Sequence, residues 1–167
     1  MHNATNNPFW SYSLTQYSNK DCETFCLEAQ NRLGLDINLI LFGVWLATQN
    51  RALNLDQLPS YIEKHQRDII APLRDLRKSM RDRAQSNEEL STLRNSVKGL
   101  ELQAEQLEQW WLFQFSTTLL PMTKMDKAKD KIELMRANLK QVYRLGRGTV
   151  ESEGDWIEAA IHHLYPS

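Results

Sequence analysis

The polar residues that are best placed to form a site flank the most apolar segment of the chain. Gln30 lies near the end of one predicted helix, and Asp36 and Asn38 lie at the start of the next. Buried polar groups need hydrogen-bonding partners, so these residues could line a small-ligand pocket walled by Trp10 and Trp45. The structural alternative is that Asp36 caps a helix and Asn38 stabilises the turn. An enzyme with a core pocket here is one functional hypothesis.

The motifs that usually carry catalysis or cofactor binding are missing from the sequence. It contains no HExxH or DDxxD metal motif, no phosphate-binding glycine loop and no GxSxG nucleophile turn. Acid–base chemistry needs two carboxyl groups that converge in a cleft, whereas Glu101, Glu105 and Glu108 recur on a charged helix and are interpreted as a solvated face. We therefore predict no catalytic residue, no cofactor site and no metal site, and the sequence leans against an enzyme.

Cys22 and Cys26 are the only cysteines, and their spacing of four places both thiols on one face of a helix. This spacing favours small, buried core residues in a reducing cytosol over a disulfide. A metal site that combines them with His162 and His163 would lack a closed ligand set, and a redox role is the other alternative.

The charge is nearly balanced overall but segregated along the chain. The formal net charge is -1, so no global field selects a nucleic acid or a membrane. Residues 124–147 nevertheless carry a net charge of +5 and residues 148–167 carry -4. A basic stripe at helical spacing could follow the phosphates of RNA or contact an acidic protein: Lys129, Arg136, Lys140 and Arg144. The alternative is that basic helices lie beside acidic ones within the fold.

α-Helices must position these residues, because apolar residues recur at helical spacing and no strand pattern occurs. Pro8, Asn19 and Asp36 mark three helix starts, and Gly34 marks one helix end. The third helix, from Ile37 to about Asn50, is apolar nearly all round, which predicts a position at the centre of the fold.

A long antiparallel helical hairpin is predicted over about residues 58–115, with its tip near Gln85. Pro72 should kink or restart the first helix. Apolar residues at coiled-coil spacing predict the seam of the hairpin, and the same spacing fits a seam within one chain or across a homodimer. They are Ile69, Leu73, Leu76 and Met80 on the first helix, and Leu90, Leu93, Val97, Leu100, Ala104, Leu107 and Trp111 on the second.

A basic stripe lies on the other side of the first hairpin helix. Arg74, Arg77 and Arg81 recur there at helical spacing, and we expect them on an outer, charged face. Exposed arginines beside an extended apolar repeat favour contact with a protein partner, so these three are the candidate contact residues.

The elements together predict an all-α helical bundle, coiled-coil-like in its hairpin, that forms a single domain over residues 1–167. It divides into an aromatic-rich helical core at 8–50, the hairpin at 58–115 and C-terminal helices at 124–164. The longest apolar run, 39–47, is shorter than the roughly 20 residues that span a bilayer. The first residues lack the basic and apolar regions of a secretory signal, so we expect a cytoplasmic protein without a transmembrane segment.

Several motifs resemble one family. Phe9-Trp10-x-Tyr12-Ser13-Leu14, then Asp36-Ile37-Asn38-Leu39 and Pro72-Leu73-Arg74, are similar to an uncharacterised, mainly gamma-proteobacterial family known as domain of unknown function twenty-three ninety. The resemblance covers most of the chain but not the part after about Thr123. It implies no activity, cofactor or catalytic residue. Genes for members near an ABC-F type ATPase would imply a ribosome-associated partner, which is an association and not a mechanism.

The leading hypothesis is a non-enzymatic interaction module whose hairpin presents its faces to a protein partner. The first alternative is an RNA- or ribosome-associated protein that uses the basic helix. The second is a small-ligand-binding protein or enzyme with a core pocket.

Overall fold

The computed structural model describes residues 6–122, 128–147 and 152–165. Within these ranges the chain forms α-helices and no β-strand, which confirms the predicted all-α fold class. The helices are α1 (Pro8–Tyr17), α2 (Lys20–Leu33), α3 (Ile37–Thr48), α4 (Ser60–His65), α5 (Ala71–Ser79), α6 (Glu88–Thr118), α7 (Ala128–Tyr143) and α8 (Glu153–Leu164). None of the helices in these ranges is both long and apolar enough to cross a bilayer.

Side-chain caps define the predicted helix starts. The side chains of Asn19, Asp36 and Asn87 accept backbone N–H groups at the starts of α2, α3 and α6, which satisfies donors that have no partner within the helix. Gly34 ends α2 with a φ of 67°, in the left-handed region that glycine adopts without a Cβ penalty. The turn between α2 and α3 therefore holds Asp36 at the edge of the core.

α3 is the central helix of the fold, as its all-round apolar sequence predicted. Every residue from Asn38 to Ala47 is buried, and the helix packs against α1, α2, α6, α7 and α8. Phe42 and Trp45 form an aromatic cluster with Phe9, whose ring centroid lies 5.2 Å from each of theirs. This cluster fixes α1 relative to the middle and last turn of α3.

The first arm of the hairpin is a continuous helical run with one widened turn. α4 leads into a π-helical turn at Gln66–Ile70, and α5 follows at once. Pro72, in the first turn of α5, lacks the N–H that would bond the carbonyl of Asp68, and its ring crowds that carbonyl. The extra residue of the π turn accommodates this ring, so Pro72 widens the helix instead of ending it.

The second arm is α6, whose 31 residues span about 46 Å at 1.5 Å per residue. It runs antiparallel to the first arm, as predicted, because Trp111 meets Tyr61 near the base whereas Glu101 meets Arg77 nearer the tip. The long antiparallel hairpin is therefore present in the fold.

The seam between the two arms differs from the predicted one. Ile70 and Arg74 are buried on the first arm. On the second arm the buried positions are Val97, Glu101, Ala104 and Glu108. Five of the eleven predicted seam residues are exposed, so the prediction is wrong for them: Ile69, Leu76, Leu93, Leu100 and Leu107. The physical reason is that arginine and glutamate neutralise each other across the seam, a pairing that apolar spacing cannot predict.

α7 is held against α3 by a buried amide that the apolar spacing did not predict. Asn138 Nδ2 donates to the carbonyl of Gly43 at 2.9 Å, and its Oδ1 accepts from the N–H of Leu53 at 2.7 Å. The helices approach closely here, because a Cβ on Gly43 would lie 3.6 Å from the Cβ of Asn138. α7 is described from Ala128, so the predicted start near Lys124 lies outside the described residues.

Candidate functional site

Four charged residues form an ion-pair network in the hairpin seam. Arg74 Nε donates to Glu101 Oε1 at 3.2 Å, and Arg74 Nη2 donates to Glu105 Oε1 at 3.0 Å. Arg77 donates through Nε and Nη2 to the two oxygens of Glu101, a bidentate contact typical of strong arginine–carboxylate pairs. Arg74 and Glu101 are only 8% and 5% exposed, so the pairing is shielded from solvent.

The two glutamates of this network differ in their protonation. Burial raises the pKa of Glu101, but Arg77 and Arg74 together outweigh this effect and leave the pKa below its ordinary value. Burial raises the pKa of Glu105, and Arg74 compensates only in part. Glu101 is therefore the favoured anion of the seam, whereas the negative charge of an ionised Glu105 is compensated only in part by Arg74.

A second chain of polar groups continues from the seam to the start of α3. Gln109 Nε2 donates to Asn38 Oδ1 at 2.7 Å, and Asn38 Nδ2 donates to Glu108 Oε2 at 2.6 Å. Asp36 Oδ1 caps α3 by accepting from Asn38 N at 2.9 Å, and the Asp36 carboxyl group lies close enough to that of Glu108 for each to affect the pKa of the other. We call these four residues and the four of the seam the polar cluster: Asp36, Asn38, Arg74, Arg77, Glu101, Glu105, Glu108 and Gln109.

The pKa values of the neighbouring Asp36 and Glu108 carboxyl groups are both raised. Burial raises the pKa of Glu108 well above its ordinary value, and the negative charge of Asp36 adds to this shift. Burial also raises the pKa of Asp36, against the opposing effect of its hydrogen bonds. Two adjacent carboxyl groups that are shielded from water repel each other when both are charged, so ionisation of one opposes ionisation of the other.

A cavity of about 180 Å³ opens beside this chain of polar groups, between α1, α3, α5 and α6. We call it the polar pocket. Three buried side-chain oxygens of its lining residues, Ser13 Oγ, Asp36 Oδ2 and Gln109 Oε1, have no hydrogen-bond partner among the described residues. Its lining consists of Trp10, Ser13, Leu14, Tyr17, Asp36, Ile37, Asn38, Leu41, Arg74, Leu102, Glu105 and Gln109.

The structure brings together three of the five residues that the sequence proposed for a pocket. Trp10, Asp36 and Asn38 line the polar pocket. Trp45 instead lies in the aromatic cluster of the core, and Gln30 on α2 is outside the lining. The prediction that Trp45 and Gln30 line this pocket is therefore wrong. The turn between α2 and α3 directs the start of α3 toward α6.

Sequence reasoning missed the contribution of α6 to this site. Glu108 and Gln109 lie about 70 positions after Asn38, and Glu101, Glu105 and Glu108 were interpreted as a solvated face. Glu101 and Glu108 are buried, so that interpretation is wrong for both. Matching acidic and basic residues at the same three- and four-residue spacing on two antiparallel helices was the available signal.

One side of the hairpin is covered with exposed aliphatic side chains. On both arms several of these residues immediately precede a residue of the ion-paired seam, as Leu73 precedes Arg74, Leu76 precedes Arg77 and Leu100 precedes Glu101. The side chain one residue earlier in a helix is rotated by about 100° around the helix axis. Because the arms are antiparallel, this rotation points toward the same side of the hairpin on both arms. We call this surface the leucine face: Ile69, Leu73, Leu76, Met80, Leu93, Leu100 and Leu107.

The leucine face lies away from the core and is open to solvent. Ile69, Leu76, Leu93, Leu100 and Leu107 are between 36% and 52% exposed. The polar pocket, lined on α6 by Leu102, Glu105 and Gln109, lies on the opposite side of the hairpin. The hairpin is therefore apolar on its solvent side and charged in its seam.

The predicted arginine contacts are divided between the seam and the surface. Arg74 is buried and Arg77 is largely covered, with side chains 10% and 19% exposed, so their predicted position on an outer face is wrong. Both turn toward α6 because Glu101 and Glu105 neutralise them there. Arg81 is exposed, as predicted.

The basic helix α7 lies beside the acidic helix α8, in agreement with the alternative that basic and acidic helices pack together within the fold. Arg136 on α7 pairs with Glu158 on α8 at 2.6 Å, and Lys140 and Arg144 lie 3.3 and 3.6 Å from Glu153. Lys129 is exposed at the start of α7. Three of the four cations proposed for RNA contact therefore already face carboxylates of their own chain.

Cysteine and histidine form no metal-binding group in the described part of the chain. Cys22 and Cys26 are buried free thiols. Hydrogen bonding with Cys22, together with burial, raises the pKa of Cys26 far above its ordinary value, which keeps it protonated and unreactive. His163 instead stacks on Phe25, with ring centroids 5.3 Å apart.

The chain matches the model of a family described as a protein of unknown function (DUF2390), over residues 8–112. The matched range runs from α1 into α6 and contains the polar pocket and the leucine face, but not α7 or α8. No curated protein and no solved structure matches the chain. The match confirms the family resemblance of the motifs quoted above and brings no activity with it.

Proposed function

We propose that this chain, which belongs to the DUF2390 family of unknown function, is a non-enzymatic protein-interaction module that binds its partner through the leucine face. One observation carries the proposal: five aliphatic side chains, each more than a third exposed, line the solvent side of a hairpin whose seam is charged. Contiguous exposed apolar surface of this kind marks interaction sites in folded proteins. We therefore assign the partner contacts to the leucine face, in place of Arg74, Arg77 and Arg81.

A second copy of this chain is the partner that fits the leucine face best. The seven residues of the face include no charged side chain, so two copies meet without like-charge repulsion. Two helices from each copy would form a four-helix bundle, an arrangement that buries an apolar face of this kind in its core. Gly99 lies beside Leu100 with nothing within 4 Å of a Cβ built on it, which leaves room for a partner helix to approach.

The exposed area is enough for a modest affinity. Completing the burial of a half-exposed leucine or isoleucine contributes about 1 kcal/mol, so five such residues in each of two copies contribute about 10 kcal/mol. Association itself costs at least about 4 kcal/mol. The remaining 6 kcal/mol corresponds to a dissociation constant of roughly tens of micromolar.

Light scattering over a concentration series tests this function. The wild-type protein is expected to change from monomer to dimer mass, and Leu100→Ala should weaken association about 30-fold, from about 1 kcal/mol lost in each copy. Leu27→Ala is the matched control, because Leu27 on α2 is also exposed, at 41%, but lies outside the leucine face. A monomer at all concentrations, or equal effects of both variants, would contradict self-association through this face.

Protein contact is favoured over RNA contact because the basic helix is largely neutralised by α8. Binding to RNA would need those cations to exchange carboxylates for phosphates and would weaken steeply with salt. Association through the leucine face is instead expected to persist at high salt, since apolar contacts are not screened.

A cytoplasmic location belongs to the same proposal. Cys22 and Cys26 lie one helical turn apart as buried free thiols, which suits a reducing compartment. Cell fractionation of the tagged chain should recover it with cytosolic markers, and recovery with periplasmic or membrane markers would contradict the proposed location.

A further inference from the structure

We infer that the polar pocket binds a small organic cation with a primary ammonium group and a short apolar body. This inference goes beyond the proposed interaction function, because the pocket and the leucine face lie on opposite sides of the hairpin. Three observations support the inference: the unpartnered atoms of the pocket, the charge of the polar cluster and the volume of the cavity.

The unpartnered buried oxygens at the pocket wall can each accept a hydrogen bond, and that of Gln109 can do nothing else. Ser13 and Gln109 are each 4% exposed, and neither Ser13 Oγ nor Gln109 Oε1 has a partner among the described residues. Gln109 is held in this orientation because its Nε2 donates to Asn38 Oδ1 at 2.7 Å. Its Oε1 can therefore only accept, and a buried acceptor without a donor is costly. A ligand that donates hydrogen bonds satisfies it.

The charge of the polar cluster calls for a cation. The cluster has four carboxyl groups, on Asp36, Glu101, Glu105 and Glu108, but only two guanidinium groups. Arg74, which also lines the pocket, already directs its Nε and Nη2 at Glu101 and Glu105. An ammonium group beside Asp36 and Glu105 would supply the missing positive charge, whereas an anion would have to compete for Arg74.

The walls and volume restrict the body of the ligand. A cavity of about 180 Å³ holds about six non-hydrogen atoms, at roughly 30 Å³ for each water-sized group. Leu14, Leu41 and Leu102 provide apolar walls, and Trp10 and Tyr17 add aromatic rings, whose faces attract cations. This combination suits a short alkylammonium ion.

Three probes of one size and different charge test the inference on the full chain. n-Butylammonium, 1-butanol and butyrate are titrated separately, and binding is followed by ligand-observed saturation-transfer NMR. We expect saturable binding of n-butylammonium at least tenfold tighter than binding of either other probe. Equal binding of all three, or no binding of n-butylammonium, would overturn the inference. Tightest binding of butyrate would also overturn it and would make Arg74 the recognition group.

Variants place the bound probe in the pocket. Ser13→Ala removes one unpartnered acceptor and should weaken n-butylammonium binding about fivefold, the value of one hydrogen bond. Ser11→Ala on the same helix is the control, because Ser11 is exposed and lies outside the pocket. Leu102→Trp is a second test, since Leu102 is 48% exposed at the rim and a larger side chain there should block entry. Unchanged binding in both Ser13→Ala and Leu102→Trp would exclude this pocket as the site.

Discussion

Replacing Glu108 by glutamine should stabilise the protein at alkaline pH and leave its stability unchanged near pH 5. In the wild type, burial and the charge of Asp36 raise the pKa of Glu108 well above the ordinary 4.5. A carboxyl group with a raised folded pKa stabilises the fold most below its unfolded pKa, and this contribution is lost as the pH rises through the folded pKa. The Glu108→Gln variant has no carboxyl group at this position, so its stability does not fall in this way as the pH rises.

The magnitude follows from the contact that changes. When Glu108 is protonated its carboxyl group can donate to Asp36, and a glutamine amide can make the same bond. At pH 8 the wild type has two adjacent carboxyl groups in competition for a proton, whereas the variant keeps an amide hydrogen bond to a carboxylate, which contributes about 2 kcal/mol. For a chain of 167 residues this raises Tm by about 4–8 °C.

Thermal unfolding at pH 5 and pH 8, followed by circular dichroism, measures this difference. Glu28→Gln is the control, because Glu28 is an exposed carboxyl group on α2, so its substitution should shift Tm little at either pH. A Glu108→Gln variant that is less stable than the wild type at pH 8 would refute the reasoning, because it would show that the ionised Glu108 is favourably solvated in the fold.

Three further substitutions test other parts of the structure through the free energy of unfolding in urea. Arg74→Met leaves Glu101 and Glu105 with fewer partners in a buried seam and should cost about 3 kcal/mol, whereas Arg81→Met at an exposed position should cost less than about 0.5 kcal/mol; equal losses would mean that the seam is solvated. Asn138→Ala removes the amide that bonds the carbonyl of Gly43 and the loop after α3, and it should cost about 2–4 kcal/mol. A loss below about 1 kcal/mol would show that water replaces the amide. Gly34→Ala should cost about 1–2 kcal/mol, from backbone strain alone because no atom lies within 4 Å of the added Cβ; an unchanged stability would contradict the left-handed cap.

The parts of the fold that local chemistry determines could be predicted from the sequence. The caps at Asn19 and Asp36 and the end at Gly34 agree with the structure, because each rests on a hydrogen bond or a backbone preference within a few residues. The central position of α3 follows from its apolar residues on all sides.

The hairpin seam could not be predicted because two kinds of contact compete for it. Apolar spacing favours Leu93, Leu100 and Leu107 as seam residues, whereas the fold places the neighbouring positions Arg74 and Glu101 there as a neutralised pair. A one-residue rotation of each helix separates the two arrangements, and the contacts of α1 and α3 with α6 decide between them. Such contacts are set by residues far apart in the chain.

Only part of the candidate pocket could be predicted, because the rest again depends on contacts between residues far apart in the chain. Asp36 and Asn38 attracted attention as polar residues beside an apolar helix, and both line the pocket. Their partners Glu108 and Gln109 come from a helix 70 positions later, and Ser13 has no distinctive spacing of its own. Tertiary packing, and not local pattern, brings these groups together.

Leucine-methyl NMR of the wild-type protein over a dilution series reports which surface a second copy covers. We expect the methyl signals of Leu93, Leu100 and Leu107 to shift together with one dissociation constant, while those of Leu27 stay constant. Signals that do not change on dilution, or changes confined to Leu27 and other residues outside the leucine face, would contradict the proposed interaction surface.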